Sequence, residues 1–151
     1  MPISAITTSP AVCSAGANTS GTFGAASVTG IDQVDAAMSA LARDNPDLVF
    51  RAGGIDDPEF RKTLGRFDNV YLIEVLQYLP APKIFDWVWE LLEPGGIVAA
   101  VFPNDRDPLV QKTVARFEGN FAPPSIATFA AWADAQPDLA TWAVRGFRFQ
   151  D

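Results

Sequence analysis

The stretch from Arg66 to Asn104 constrains the fold of this chain more than any other. It contains two short, continuous apolar runs, Val70–Ile73 and Ile97–Phe102, and the second is rich in β-branched residues. Apolar runs without alternation are typical of strands that are covered on both faces, as in a parallel sheet. We therefore expect two buried parallel strands here.

The residues between these two runs have the pattern of a crossover helix. Pro82 stands where a first helical turn can begin, and the segment Glu93–Gly96 contains the glycines that end a helix. Three apolar residues between them recur at helical spacing: Ile84, Val88 and Leu91. Strand, helix and strand in this order predict a right-handed βαβ unit, and the rest of the chain must extend its sheet.

Composition excludes several classes of function. At 151 residues the chain is long enough for one domain with its own core. Its formal net charge is −7, which repels phosphate backbones and anionic lipid, so we expect neither nucleic acid nor a membrane as partner. The chain has one cysteine, Cys13, and no histidine. An intramolecular disulfide and a Cys-rich metal site are therefore excluded, and the commonest general base is missing.

The amino-terminal part has no targeting pattern. No apolar run approaches the length of about 18 residues that a transmembrane helix needs, and residues 1–20 lack the basic start of a secretory signal. A cytoplasmic location is the resulting expectation. Residues 1–30 are dominated by Ser, Thr, Ala and Gly, and two interpretations remain open. They form either a flexible tail, which we expect at least for residues 1–10, or a first strand with its turn.

Two segments carry a resemblance to a known family: FDNVYLIEVLQYLP at 67–80 and LLEPGGIVAAVFPN at 91–104. In order, spacing and residue type they resemble the fourth strand, fourth helix and fifth strand of class I S-adenosylmethionine (SAM) methyltransferases. The resemblance implies an α/β fold in one domain over residues 1–151: a Rossmann-like three-layer sandwich with a mostly parallel central sheet. It also implies SAM as the cofactor of a transferase.

The resemblance places a glycine-rich turn after the first strand, where the methionine end of SAM binds. In this chain the strand would be Ala11–Cys13 and the turn Ser14–Gly21. Gly16 matches the first glycine of the family's pattern, and Asn18 stands for the second, since Asn tolerates positive φ. The next strand follows so soon that we expect the first helix to be shortened to a turn or the loop to be cut back.

The second strand, Ser27–Asp32, ends in an acidic residue. In nucleotide-binding α/β folds an acid at this place hydrogen-bonds the ribose hydroxyls, and the resemblance assigns that role to Asp32. Asp32 also stands where it can cap the following helix, whose inward stripe would be Val34, Met38 and Leu41. Both roles stay open, and the cofactor site requires Gly16 to lie beside Asp32.

A third strand, Leu48–Phe50, is followed by a candidate adenine contact. The resemblance places an acid here, but Gly54 occupies that position, and Asp56 follows two residues later. Asp56 is therefore the candidate for the adenine amino group. The alternative is that Asp56 and Asp57 cap a short helix, Pro58–Leu64.

The loop after the central strand provides the remaining site residues. Ligands of open parallel sheets bind outside the carboxyl ends of the strands, so we place Ile73 against the cofactor and Glu74 and Tyr78 near the acceptor. Glu74 and Tyr78 are the candidate catalytic residues. A phenol is a poor base at neutral pH, so Tyr78 would orient a hydroxyl or stack on a ring. The alternative for Tyr78 is to pack the loop onto the next helix.

Beyond Asn104 the pattern predicts two helices, one with Phe117 in its apolar stripe and one capped by Ser125, and then a last strand, Thr141–Phe149. Residues 119–124 form a loop suited to a substrate mouth. The family has a further antiparallel strand beside the last one, and here we expect it to be missing. Three interpretations remain open: an unpaired sheet edge, a homo-oligomer in which a second chain fills the gap, or a sequence that is a fragment of a longer one.

The favoured function is SAM-dependent methyl transfer to a small-molecule acceptor. SAM carries an activated methyl group, so the protein need only align donor and nucleophile and exclude water. The alternative is a catalytically inactive methyltransferase-like domain that acts as a scaffold or partner subunit. Three expected features favour that alternative: the incomplete glycine turn, the short first helix and the missing last strand. A nicotinamide-dependent oxidoreductase is less favoured, because its G-x-G-x-x-G turn is absent.

Overall fold

The computed structural model describes residues 11–17, 25–73, 75–117 and 121–146, and the expected tail at 1–10 lies outside these ranges. The described part is a mixed α/β fold built around a five-stranded sheet with the order β3-β2-β1-β4-β5. The strands are β1 (Ala11–Ala17), β2 (Ala25–Asp32), β3 (Val49–Ala52), β4 (Phe67–Ile73) and β5 (Leu92–Val101).

Four of these five strands point in the same direction. β2 pairs with β3 in parallel, and β4 pairs with β5 in parallel. β1 lies between the two pairs and runs antiparallel to both β2 and β4. The predicted Rossmann-like architecture with a mostly parallel central sheet is thereby confirmed, and β1 is the strand that departs from the common direction.

The direction of β1 follows from the short connection to β2. Only residues 18–24, which lie outside the described ranges, separate the two strands. A parallel pair needs a crossover connection of about a dozen residues or more, whereas an antiparallel pair can be joined by a short loop. The predicted turn from Ser14 is wrong over its first part, because β1 continues as a strand to Ala17.

Five α-helices and one 3-10 turn flank the sheet in the described ranges. Three helices begin with a side chain that accepts a hydrogen bond from a backbone N–H of the first turn: Asp57, Asp107 and Ser125. The predicted Ser125 cap is confirmed. The helices are α1 (Asp35–Asp44), α2 (Pro58–Lys62), α3 (Lys83–Glu90), α4 (Pro108–Arg116) and α5 (Ile126–Asp134), and the 3-10 turn is Leu76–Tyr78. None of these short helices meets the requirement for a membrane span.

The hydrophobic core lies between one face of the sheet and α3. The predicted stripe of α3 is confirmed, since Ile84, Val88 and Leu91 are 0%, 2% and 2% exposed. They pack in one cluster with Val70 and Leu72 of β4, which are equally buried. Burying side chains of this size removes most of their apolar surface from water and contributes about 1.5–3 kcal/mol for each.

A second layer of aromatic contacts holds α5 against α3. The rings of Phe85 and Phe129 meet edge to face at 5.4 Å between centroids, and Trp89 and Trp132 do so at 5.7 Å. Trp132 Nε1 also donates a hydrogen bond of 2.9 Å to Asp86. These contacts fix α5 on the same side of the sheet as α3.

The opposite face of the sheet is covered unevenly. Met38 of α1 is buried and α1 packs on β2 and β3, but Val34, which the stripe also predicts to face inward, is exposed. On β5, exposure alternates along the strand, with Ile97 63% exposed and Val101 43%. The expectation that Ile97–Phe102 is covered on both faces is wrong, because α3 covers one face only.

The predicted last strand is also wrong where the structure describes it. Residues 141–146 are irregular and exposed, and residues 147–149 lie outside the described ranges. Trp142 contacts α5 rather than a strand: its ring meets Phe129 edge to face at 5.6 Å, and its Nε1 donates to Asp134 at 3.1 Å. These contacts hold Trp142 against α5.

Replacing two isoleucines separately tests which face of the β4–β5 pair is covered by the core. We expect Ile84→Ala to lower the free energy of unfolding by about 2–5 kcal/mol, because it leaves a cavity between α3 and the sheet. The matched change Ile97→Ala, on the uncovered face, is expected to cost less than about 1 kcal/mol. Urea denaturation followed by circular dichroism measures both losses, and equal losses would contradict the assignment of the covered face.

Candidate functional site

The carboxyl ends of β2 and β3 lie side by side and bring two acidic residues to one corner of the sheet. Asp32, the last residue of β2, is in register with Ala52 at the end of β3, and Gly53 N donates to the Asp32 backbone oxygen at 2.9 Å. The chain then folds back, so that a Cβ built on Gly54 would overlap the Asp56 carboxylate and lie 3.1 Å from Nε2 of Gln33. We call this region the acidic corner: Asp32, Gln33, Gly54 and Asp56.

The two carboxylate oxygens of Asp32 differ in their hydrogen bonding. Its Oδ1 accepts a hydrogen bond of 2.8 Å from the backbone N–H of Val34, just before α1 begins. The prediction that Asp32 caps α1 is wrong, because the N-cap residue is Val34 and no side chain caps this helix. Asp32 instead closes a tight turn just before the helix. Asp32 is half-buried, and within the described ranges its Oδ2 accepts no hydrogen bond. A carboxylate oxygen of this kind can accept from a ligand hydroxyl.

Asp56 and Asp57 have different roles although they are neighbours. Asp57 Oδ1 accepts from Glu59 N at 2.9 Å and is the N-cap of α2, with Pro58 at the first helical position. Asp56 lies beside Gly54 and does not cap the helix. The capping prediction is therefore confirmed for Asp57 and wrong for Asp56, whose carboxylate remains at the acidic corner. The helix ends at Lys62, two residues before the predicted end.

The end of β4 places Ile73 and Tyr78 at the carboxyl edge of the sheet. Ile73 is the last residue of β4 and pairs with Val101 of β5. Glu74 lies outside the described residues, so its catalytic role stays a prediction. In the 3-10 turn that follows, Leu76 is 0% exposed whereas Tyr78 is 46% exposed. Leu76 therefore anchors the loop, and the Tyr78 ring stays open to solvent.

Two further aromatic residues join Tyr78. The Tyr78 and Phe121 rings meet edge to face, with 5.7 Å between centroids, and the Phe117 ring lies 6.4 Å from that of Phe121. We call Tyr78, Phe117 and Phe121 the aromatic cluster. Sequence reasoning assigned Phe117 to a helix stripe and did not single out Phe121. The only available signal was the loop at 119–124, expected at a substrate mouth, of which the structure describes residues 121–124.

Gly16 does not lie at the acidic corner. Ala11 pairs with Ile31 and Ala17 pairs with Ala25, so the direction of β1 places Gly16 near the amino end of β2. Asp32 lies at the other end of that strand, about 20 Å away at the rise of an extended chain. The expectation that Gly16 lies beside Asp32 is wrong. Asn18 is outside the described ranges, and its contact with the cofactor stays a prediction.

The acidic corner fits the nucleoside half of a cofactor such as SAM. Its two carboxylates are hydrogen-bond acceptors, which suits the hydroxyls of a ribose and the amino group of an adenine. The absence of a side chain at Gly54 lets the Asp56 carboxylate pack directly against the backbone there. The methionine half has no counterpart of the expected glycine turn among the described residues. In the same ranges, no group of three or more His, Cys, Asp or Glu residues is placed to hold a metal ion.

Comparisons with known proteins identify the family of this chain. A family model described as "Methyltransferase domain" matches residues 11–100, which extend from β1 almost to the end of β5. The trans-aconitate 2-methyltransferase of Deinococcus radiodurans is 36% identical over 87 residues, which are 56% of this chain and 32% of that relative. The chain thus matches about a third of the length of that relative.

Exchanging the two neighbouring acids for alanine tests their separate roles. We expect Asp57→Ala to lower the free energy of unfolding by about 1 kcal/mol, because α2 loses its N-cap. The matched change Asp56→Ala is expected to alter it by less than about 0.5 kcal/mol, since Asp56 caps no helix. Thermal and urea unfolding of the two variants checks this, and a larger loss for Asp56→Ala would show that its carboxylate is structural.

Proposed function

The chain belongs to the methyltransferase domain family, and on that premise we propose that it carries out SAM-dependent methyl transfer to a small-molecule acceptor. The observation that supports the proposal most is the acidic corner, which the matched region contains in full. In an open α/β sheet, the carboxyl ends of neighbouring parallel strands are where nucleotide-like ligands bind.

In this proposal each residue of the corner has a separate task. Asp32 Oδ2 accepts hydrogen bonds from the ribose hydroxyls while Oδ1 keeps its bond to Val34 N. Asp56 accepts from the adenine amino group, and Ile73 provides an apolar contact at the end of β4. SAM supplies a methyl group activated by its sulfonium, so the chain's residues need to bind, orient and exclude water rather than ionise a strong base.

The acceptor belongs near Tyr78 and Glu74, at the edge of β4. Tyr78 is exposed there and can orient or stack on an acceptor. Two observations support a small molecule. The net charge of −7 disfavours nucleic acid, and the name of the matched relative gives trans-aconitate as its substrate. The cytoplasmic location expected from the sequence stays a prediction.

One observation favours a second function, that of a methyltransferase-like domain without catalysis. With Gly16 placed in β1, the residues that the structure describes bring no glycine turn to the acidic corner, where the resemblance associates one with the methionine end. A scaffold of this kind would pair with a partner or with a second copy at the β5 edge, where the described part of the sheet ends. Such a homo-oligomer remains a prediction, and light scattering over a range of protein concentrations tests it.

Replacing the acid of β2 tests the proposed cofactor site. We expect Asp32→Asn to weaken S-adenosylhomocysteine binding by about ten- to a hundredfold, because a hydrogen bond to a charged acceptor contributes about 1.5–3 kcal/mol. The fold is expected to persist, because the amide oxygen can still accept from Val34 N. Asp35→Asn, on the first turn of α1, is the matched control and should leave the affinity unchanged. Isothermal titration calorimetry measures all three proteins.

The unmodified chain separates the two functions. At a concentration of S-adenosylhomocysteine one hundred times its Kd, we expect about 2.7 kcal/mol of added stability. The absence of any heat of binding and of any thermal shift at millimolar ligand would contradict the methyltransferase proposal for this chain. It would leave the scaffold function as the one that the structure supports.

A further inference from the structure

We propose that the aromatic cluster of Tyr78, Phe117 and Phe121 forms one wall of the acceptor site and selects a planar acid, a flat conjugated or aromatic molecule that carries a carboxylate. This inference rests on the proposed methyl transfer and specifies its acceptor. It adds Phe117 and Phe121 as specificity-determining residues beside Tyr78.

The position of the cluster is the first argument. Tyr78 follows β4 at the carboxyl edge, on a turn anchored by the fully buried Leu76. The loop after α4 is tied to the same turn, because Ala122 N donates to the backbone oxygen of Gln77 at 2.7 Å. Two segments far apart in the sequence are thus joined at the edge of the sheet where ligands of this architecture bind.

The exposure of the rings is the second argument. Tyr78 is 46% exposed, Phe117 and Phe121 are only half-buried, and α4 has no buried residue. The cluster is therefore a surface feature and not part of the core. Aromatic groups grouped at a surface in this way are typical of binding sites.

The geometry of the rings indicates the shape of the ligand. The planes of Tyr78 and Phe121 are inclined at 77°, and those of Phe121 and Phe117 at 42°. Because the planes are inclined, a flat ligand that stacks on the face of one ring can also meet the edge of the next ring. Aromatic pairs prefer such stacked and edge-to-face contacts, and a puckered ligand of the same size cannot make both.

The positive charge of Arg116, next to the aromatic cluster, indicates that the acceptor carries a carboxylate. The guanidinium carbon of Arg116 lies 5.9 Å from the centroid of the Phe117 ring, and Arg116 is exposed. A guanidinium presents its donors in a planar fork that matches a carboxylate. A planar acid can therefore stack on the rings and also pair with the Arg116 guanidinium.

Protein-observed NMR with 2-naphthoate as the probe tests the proposal. The chain carries ¹³C-labelled Phe and Tyr and is saturated with S-adenosylhomocysteine. We expect the ring signals of Tyr78, Phe117 and Phe121 to shift on titration. The saturated analogue, decalin-2-carboxylate, is expected to bind at least about tenfold more weakly, because it keeps the carboxylate and loses the flat ring system.

Variants at Phe121 distinguish a role in binding the acceptor from a role in packing the loop. Phe121→Ala and the milder Phe121→Leu are both expected to weaken 2-naphthoate binding, the first by about tenfold or more. The affinity for S-adenosylhomocysteine and the unfolding midpoint should stay unchanged in Phe121→Leu, which keeps the apolar volume. Leu109→Ala on α4 is the control, because Leu109 is 72% exposed and lies outside the cluster.

Three results would overturn the inference: no binding of 2-naphthoate at millimolar concentration, equal binding of the decalin analogue, or full binding by both Phe121 variants. If S-adenosylhomocysteine binds and any of these occurs, the acceptor proposal fails while the proposed methyl transfer stands. If S-adenosylhomocysteine does not bind, the titration is repeated without it. Ring shifts in that experiment would show an aromatic-acid site and contradict only the methyl transfer.

Discussion

The packing of α3 on the parallel pair β4–β5 is the interaction on which the rest of the structure depends. Ile84 and Val88 of the helix are buried against Val70 and Leu72, and this contact contains most of the fully buried side chains. α5 is attached to α3 through aromatic rings, and the turn with Leu76 is anchored in the same cluster. The edge of β4 that carries Tyr78 is therefore held by the most fully buried cluster of the described residues.

The acidic corner depends less on that core. It is formed by backbone pairing between β2 and β3 and by two local hydrogen-bonded turns, one at Asp32 and one at Asp57. The two proposed binding regions are thus stabilised differently: a packed helix supports the turn that carries Tyr78, and strand pairing supports the acidic corner. In a methyltransferase the donor and the acceptor would each be bound by one of them, and their relative placement would depend on the strand between them, β1.

Features that depend on local chemistry could be predicted from the sequence. The inward stripe of α3 follows from helical spacing, and the caps at Ser125 and Asp57 follow from side chains that accept from a free N–H. The common direction of β4 and β5 follows from the helix between them. Asp32 could be recognised because it is the last residue of a short strand pattern, where nucleotide-binding α/β folds place an acid.

Features that depend on contacts between residues far apart in the sequence could not be predicted from the sequence. An apolar run such as Ala11–Cys13 contains no information on the direction of its strand, so the length of the connection to β2 was the only guide to the placement of Gly16. Phe121 contacts Tyr78 across the fold, and no periodicity relates the two residues. Trp142 lies in a strand-like sequence pattern, but its ring packs against Phe129 of α5, a contact that the local sequence does not indicate.

The central position of β1 also has a consequence for synthesis. β1 leaves the ribosome shortly before β2 and can form a hairpin with it early, yet its other neighbour, β4, is made only after α1, β3 and α2. Until then one edge of a nascent hairpin is open, and unpaired strand edges are sites of association between chains. The rate at which translation passes from β2 to β4 therefore sets how long the growing polypeptide is exposed to misassembly.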